Sequence, residues 1–178
     1  MDNVKYILAT LIAVAATWMI HEFSHWITGE LLGNDMVMTL NACYSKTGEY
    51  IQHWHSTVTS AAGPMVTLIQ AIVVYYLLKV RSSLYLFPFL LTCLYMRFLA
   101  GAMNFINPND EGRVSLDLGL GTFTLSIVIV AVLSYLTYDT IRTKGFKTKW
   151  IAATVFLIML FSSVIILADQ AFKAVIVG

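Results

Sequence analysis

Runs of about twenty predominantly apolar residues, each long enough to cross a bilayer as a helix, follow one another along this chain with only short connections. They fall at residues 4–32, 57–78, 84–105, 118–138 and 150–172. Lipid offers no hydrogen bonds to a peptide backbone, so such segments must satisfy their own N–H and C=O groups, as helices do. Of the 178 residues, 58% are hydrophobic and 12% charged, which leaves too little polar surface for a soluble domain. The expected fold is an all-α integral membrane protein with about five transmembrane helices, multi-pass in the lipid bilayer. A formal net charge of +1 provides no basic surface for nucleic acid. The first run is not read as a signal peptide, because its basic region is weak and no small-residue cleavage site follows. Cys43 lies in a loop and Cys93 in an apolar run, so both are expected as free thiols.

Ionisable groups are costly inside a membrane and are usually retained for function. The first run nevertheless ends in His21-Glu22-Phe23-Ser24-His25, an HExxH pattern. On a helix of about 3.6 residues per turn the two histidines project from nearly one face. Two imidazoles so placed can grip one Zn²⁺, with Glu22 beside the metal to handle protons. The plainer alternative is two histidines at a membrane interface, one of them paired with the glutamate. Catalytic zinc ordinarily takes three protein ligands and keeps one open position, so an acidic or imidazole group is expected from another segment. The third run ends in Asn107-Pro108-Asn109-Asp110-Glu111-Gly112-Arg113, on the same side of the membrane as the HExxH by span count. Proline and glycine break the helix there and free the chain to turn a carboxylate toward the metal.

Taken in order, these pieces resemble the site-2 protease family of intramembrane zinc metalloproteases. The resemblance is carried by the HExxH, by Ser60-Ala61-Ala62-Gly63-Pro64 opening the second span, and by the Asn-Pro-rich segment with an aspartate after the third. It implies a three-helix catalytic core at residues 1–113, joined in the same domain by two additional helices at 114–178. It further implies one zinc per chain held by His21, His25 and Asp110, with Glu22 as the catalytic general base. The substrate it implies is a transmembrane protein cut in or near its membrane-spanning segment. Two positions depart from the family. Glu111 stands between Asp110 and Gly112, where aspartate is typically followed directly by glycine, so Glu111 remains the alternative ligand. Thr67 stands where an asparagine often follows the Gly-Pro.

The longest connection, residues 33–56, alternates in the manner of a strand over 37–44, turns at Ser45-Lys46-Thr47-Gly48 and could return over 49–54. A small membrane-associated β-hairpin is expected there, with an edge that could hold an unwound substrate. Lys5, Lys79, Arg81, Arg142, Lys144, Lys147 and Lys149 fall on the N-terminal side of the spans, against Lys46, Arg113 and Lys173 on the other. Positive loops favour the cytoplasm, which predicts a cytoplasmic N terminus. Arg97, Gly101 and Asn104 share one face of the third span, as interhelical polar glue or as support for the site. His53 and His55 flank Trp54 as interfacial residues or auxiliary ligands. Gly63-Pro64 either opens the second helix near the metal or marks a packing kink. The activity expected is peptide-bond hydrolysis. The competing readings are a silent protein that binds transmembrane partners and a metal-dependent hydrolase of a lipid or small solute.

Overall fold

The computed structural model describes residues 3–81 and 83–178, which form six α-helices and one two-stranded sheet. In chain order these are α1 (Asn3–Leu31), β1 (Met36–Met38), β2 (Cys43–Ser45), α2 (His53–Val80), α3 (Phe87–Met103), α4 (Asp110–Asp117), α5 (Thr124–Lys144) and α6 (Thr148–Phe172). A 3₁₀ turn at Leu84–Leu86 runs into α3, so that Leu84–Met103 is one span. Five helices, α1, α2, α3 with its lead-in, α5 and α6, are long and apolar enough to cross a membrane. Their outer faces carry exposed Leu8, Ile12, Ile69, Tyr76, Phe156 and Leu167. Water would penalise so broad an apolar exterior, and hydrocarbon does not.

The most enclosed span is α3, and α6 is the least. One side of α3 presents Phe87, Leu91 and Met96 to Val14 and Trp18 of α1 and Ile158 of α6. Its other side presents Leu90 and Cys93 to Ala71, Val74 and Leu78 of α2 and Leu133 of α5. Helices α1, α2 and α3 pack on one another, α5 lies against α2 and α3, and α6 lies against α1 and α3.

Many polar side chains inside these helices find partners close by. Thr10, Thr92 and Thr140 donate to the carbonyls four residues earlier, those of Tyr6, Pro88 and Leu136. Others tie helices together: Gln70 Nε2 to Thr17 Oγ1 at 2.7 Å, Asn104 Nδ2 to Ser126 Oγ at 2.9 Å, and the Tyr6 and Thr154 hydroxyls to each other. At the basic end Lys79 Nζ meets Asp139 Oδ2 at 2.5 Å, and Tyr75 donates to the same oxygen at 2.8 Å.

Two expectations need correction. The fourth span begins at Thr124 rather than near residue 118. Gly119 and Gly121, at φ of 72° and 81°, turn the chain before it. The chain leaves α3 at Met103 and re-enters a helix at Asp110, where residues 110–117 form α4 with its N terminus capped by Asn109. A hairpin is present, but its turn is at residues 39–42, held by Thr39 N–H donating to Ala42 O at 2.8 Å. The register pairs Met36 with Ser45, Val37 with Tyr44 and Met38 with Cys43. The turn around Gly48 (φ 79°) sends the chain into α2 instead of back along the hairpin. The reason is burial. Met36, Val37 and Met38 are all covered, and β1 is pinned to α1 by Met36 N–H donating to Glu30 Oε1 at 2.8 Å.

The segment after α6 adds a contact that the apolar pattern does not announce. Ile176 N–H donates to Met38 O, and Met38 N–H donates to Val177 O, each at 2.8 Å, which occupies the outer edge of β1. Asp169 Oδ1 of α6 accepts from Leu40 N–H at 2.9 Å in the hairpin turn. A hydrogen bond to a charged group contributes about 1.5–3 kcal/mol. Asp169→Ala is therefore expected to raise amide hydrogen exchange at residues 38–42 about tenfold or more, with exchange in α2 and α3 unchanged; mass-resolved exchange in detergent micelles checks this.

Candidate metal centre

The helical spacing of His21 and His25 brings their Nε2 atoms to 3.1 Å from each other on the inner face of α1. Asp110, the first residue of α4, reaches them with Oδ2 at 3.2 Å from His21 Nε2 and 3.4 Å from His25 Nε2. All three residues are buried, and they are the only such cluster of potential ligands among the described residues.

The proton positions follow from the partners of the other ring nitrogens. His25 Nδ1 is 2.6 Å from the Thr59 carbonyl, which can only accept, so Nδ1 carries the hydrogen. His21 Nδ1 is 3.0 Å from Thr67 Oγ1, whose own proton goes to Gly63 O at 2.9 Å, so this Nδ1 donates as well. In the neutral rings both Nε2 atoms are then bare lone pairs, and both face a carboxylate oxygen. Electron pairs converging at this range call for positive charge among them. Arg97 supplies some from α3, with Nη2 3.3 Å from His21 Nε2 and Nη1 3.6 Å from Asp110 Oδ2. The three atoms are also placed to share a metal ion. Two imidazoles and a carboxylate, with the far ring nitrogens held by an oxygen acceptor, form a donor set that suits Zn²⁺. The residues present therefore fit a zinc ion.

Space for the two rings depends on Gly63. A β-carbon there would lie 2.3 Å from His25 Nε2 and 2.4 Å from His21 Cε1. Pro64 does not open α2, which runs unbroken from His53 to Val80. Gly63 serves instead to let α2 approach the imidazoles. A second close approach sets Asp110. Asn104 Oδ1 accepts from Asn109 N–H at 2.7 Å, and a β-carbon at Gly112 would lie 2.4 Å from that oxygen. Asn109 in turn accepts from Asp110 N–H at 2.9 Å, and Arg113 Nη2 holds Asp110 Oδ1 at 2.9 Å.

The two neighbouring acids part company. Glu111 turns away from the histidines, and its Oε1 meets Arg97 Nη1 at 3.0 Å. Arg97 itself stands at the cluster, with Nη2 3.3 Å from His21 Nε2. Gly101 and Asn104, on the same face of α3, contact Ser126 of α5 as interhelical glue. Both His53 and His55 lie outside the cluster: His53 is exposed, and His55 Nδ1 is bonded by Asn34 Nδ2 at 3.2 Å. Trp54 is half exposed at the start of α2.

A cavity of about 550 Å³ opens onto the cluster, bordered by Trp18, Met96 and Ile166 on apolar walls and by Asn41, Cys43 and Tyr50 from the hairpin side. Glu22 lines it and accepts no hydrogen bond from any described residue. Neither cysteine is in a disulfide. Burial pushes the Cys43 thiol up to about 12, with the carboxylates of Glu22, Asp110 and Glu30 adding to the effect. Cys43 thus borders the cavity as a neutral thiol.

No family model, curated protein or solved structure matches this chain. The functional reading therefore rests on the arrangement of its own side chains.

That arrangement makes Gly63 and Thr67 direct probes of the site. Thr67→Val removes the acceptor of His21 Nδ1 and is expected to weaken zinc affinity about 10- to 100-fold, the usual cost of losing such support. Gly63→Ala is expected to abolish stoichiometric zinc, measured by plasma mass spectrometry on monodisperse protein, while the helical circular dichroism stays unchanged.

Proposed function

We propose that this chain is an intramembrane zinc endopeptidase of the site-2 protease type, with His21, His25 and Asp110 as the zinc ligands and Glu22 as general base. The observation that carries the reading is the convergence of three buried lone-pair atoms, with both imidazole Nδ1–H groups already committed elsewhere. Glu22, which lines the cavity beside them, supports a hydrolytic role, since a purely structural metal site has no need of it.

A zinc ion bound there supplies Lewis acidity and a water acidic enough to react near neutral pH. Glu22 takes a proton from the water that attacks the substrate carbonyl, and hands it to the departing amine. Asp110 is kept oriented by Arg113 and by the Asn109 cap, while Thr67 and Thr59 keep both imidazoles in the ligating tautomer. The apolar cavity walls restrict water around the reacting bond.

A helical peptide bond is shielded by its own hydrogen bonds, so the substrate must be extended when it is cut. The hairpin offers a place for that strand. Thr39–Ala42 and Lys46–Asp35 bonds bracket the ladder, so Val37 and Tyr44 face each other and the backbone of Cys43 points outward. At Cys43 that edge meets no described backbone partner, while two residues along it the Ser45 carbonyl accepts from Gly48 N–H at 3.0 Å; Cys43 lies on the cavity. An extended segment paired there would lie alongside the zinc ligands. The orientation that fits is a cytoplasmic N terminus, because Lys5, Lys79, Arg142, Lys144 and Lys149 lie at the end of the bundle away from the cavity.

Purified protein reconstituted in liposomes is expected to hold one zinc per chain and to cleave membrane-spanning peptides. Glu22→Gln is expected to retain the zinc and lose cleavage by about 10²- to 10⁴-fold. Zinc-loaded protein that hydrolyses lipid esters and leaves such peptides intact would move the substrate class to lipids. Cys43→Pro, which deletes one outward N–H without touching the pairing to β1, is expected to lower cleavage at unchanged zinc content; equal cleavage would remove the edge from the mechanism.

A further inference from the structure

Arg97 is a buried cation in the middle of a membrane-spanning helix, set against a group of residues suited to bind another cation. Like charges placed together in a low-dielectric setting repel strongly, so the arrangement requires a compensating partner and a reason to exist. The partner is Glu111, whose Oε1 is 3.0 Å from Nη1. Asp110 Oδ2 lies further off, at 3.6 Å. A tie between α3 and α4 alone does not explain the pair, because apolar residues of similar volume stabilise such a contact as well or better.

The guanidinium has five N–H donors, and Glu111 occupies only the Nη1 side. Nε has no acceptor among the described residues. Nη2 has only His21 Nε2, at 3.3 Å. That nitrogen is a poor partner in the proposed peptidase, since its lone pair is the one a zinc ion would take. The Nη2 edge is thereby left as a positively charged donor without an acceptor, bordering the cavity beside the ligand atoms. Buried donors in this condition are costly and call for an acceptor or a functional reason.

Resting on the peptidase reading, we propose that Arg97 is a second catalytic residue: its guanidinium donates to the substrate carbonyl oxygen and stabilises the negative charge that gathers there, and Glu111 is the positioning residue that aims it. In the step concerned, the water oxygen bonds to the carbonyl carbon, the C=O π pair moves onto the oxygen, and Glu22 holds the water's proton. When the carbonyl re-forms, the C–N bond breaks and the amine leaves with that proton. Arg97 exchanges no proton; it supplies fixed donors where charge develops, which is the arrangement of an oxyanion hole.

Cobalt(II)-loaded protein, titrated with inorganic phosphate as a tetrahedral oxyanion and followed by its visible spectrum, tests this without any peptide substrate. Wild type is expected to bind one cobalt per chain and to take up phosphate with a spectral change. Arg97→Gln is expected to keep the cobalt and weaken phosphate about ten- to hundredfold, with Arg97→Lys intermediate. Because Arg97→Gln strands a buried Glu111, the paired variant Arg97→Gln/Glu111→Gln is measured beside it and is expected to lose phosphate to the same extent. Unchanged phosphate affinity in the paired variant, cobalt lost from that variant while it remains folded, or a cobalt-loaded wild type that takes no phosphate would each overturn the role of Arg97 and leave the metal site standing. A folded wild type that binds neither cobalt nor zinc would overturn the peptidase reading, and this proposal with it.

Discussion

Two imidazoles and a carboxylate pressed together with their lone pairs inward form the contact on which the rest of this bundle turns. Nothing about such a contact is favourable in an apolar interior by itself. It persists because each member is held from behind: His25 by the Thr59 carbonyl, His21 by Thr67, and Asp110 by Arg113 and the cap of α4. Those supports come from α2 and α4, so the relative position of three helices is specified by a single cluster. Gly63 sets how near α2 can come, and the Asn104–Gly112 approach sets where α4 begins. The surrounding core of α1, α2 and α3 is apolar packing that holds this geometry in place.

Charge balance extends the same logic. Asp110, Glu111 and Glu22 bring three acidic side chains into a small volume, and Arg97 and Arg113 meet different oxygens of Asp110. Arg113 is about half exposed while Arg97 is almost wholly buried. The difference in solvent access separates their contributions: solvent screens the outer arginine, and the inner one acts at nearly full strength. In the proposed reaction only the inner one meets the carbonyl.

The spans could be read from the chain because hydrocarbon imposes a length that few other structures require, and runs such as 150–172 have no soluble counterpart. The His21–His25 spacing was equally readable, since a helix converts four residues into one face. What escaped the pattern was every feature set by tertiary contact. The α4 helix is short and polar, and its start depends on Asn104 reaching across five residues, so Pro108 and Gly112 read as a loop. The hairpin turn moved because Met36 is pinned by Glu30, an interaction with α1 that alternation within 37–44 does not encode. Gly63 was visible as a glycine beside a proline, yet its purpose lies on another helix. Arg97 was recognised as an inward-facing residue; that it belongs to the metal cluster while Gly101 and Asn104 face α5 is a matter of a small rotation about the α3 axis. A signal was present in its rarity, because an intramembrane arginine is functional more often than it is glue.

The hairpin's two edges carry the last step of the argument. A sheet edge in lipid must be covered or used, since hydrocarbon solvates neither N–H nor C=O. The outer edge of β1 is covered by Ile176 and Val177, and the turn is fastened to α6 by Asp169. The β2 edge is closed at Ser45 by Gly48 N–H but meets no described partner at Cys43, which borders the cavity. Residues 176 and 177 cover β1 at Met38, while the backbone of Cys43 on the cavity has no partner among the described residues. An asymmetry of this kind costs stability if the bare edge stays unpaired, and it is accounted for if that edge receives a strand from outside. Cys43 and Arg97 line the same cavity, so in the proposed reaction a segment paired at Cys43 and the donors of Arg97 share one space.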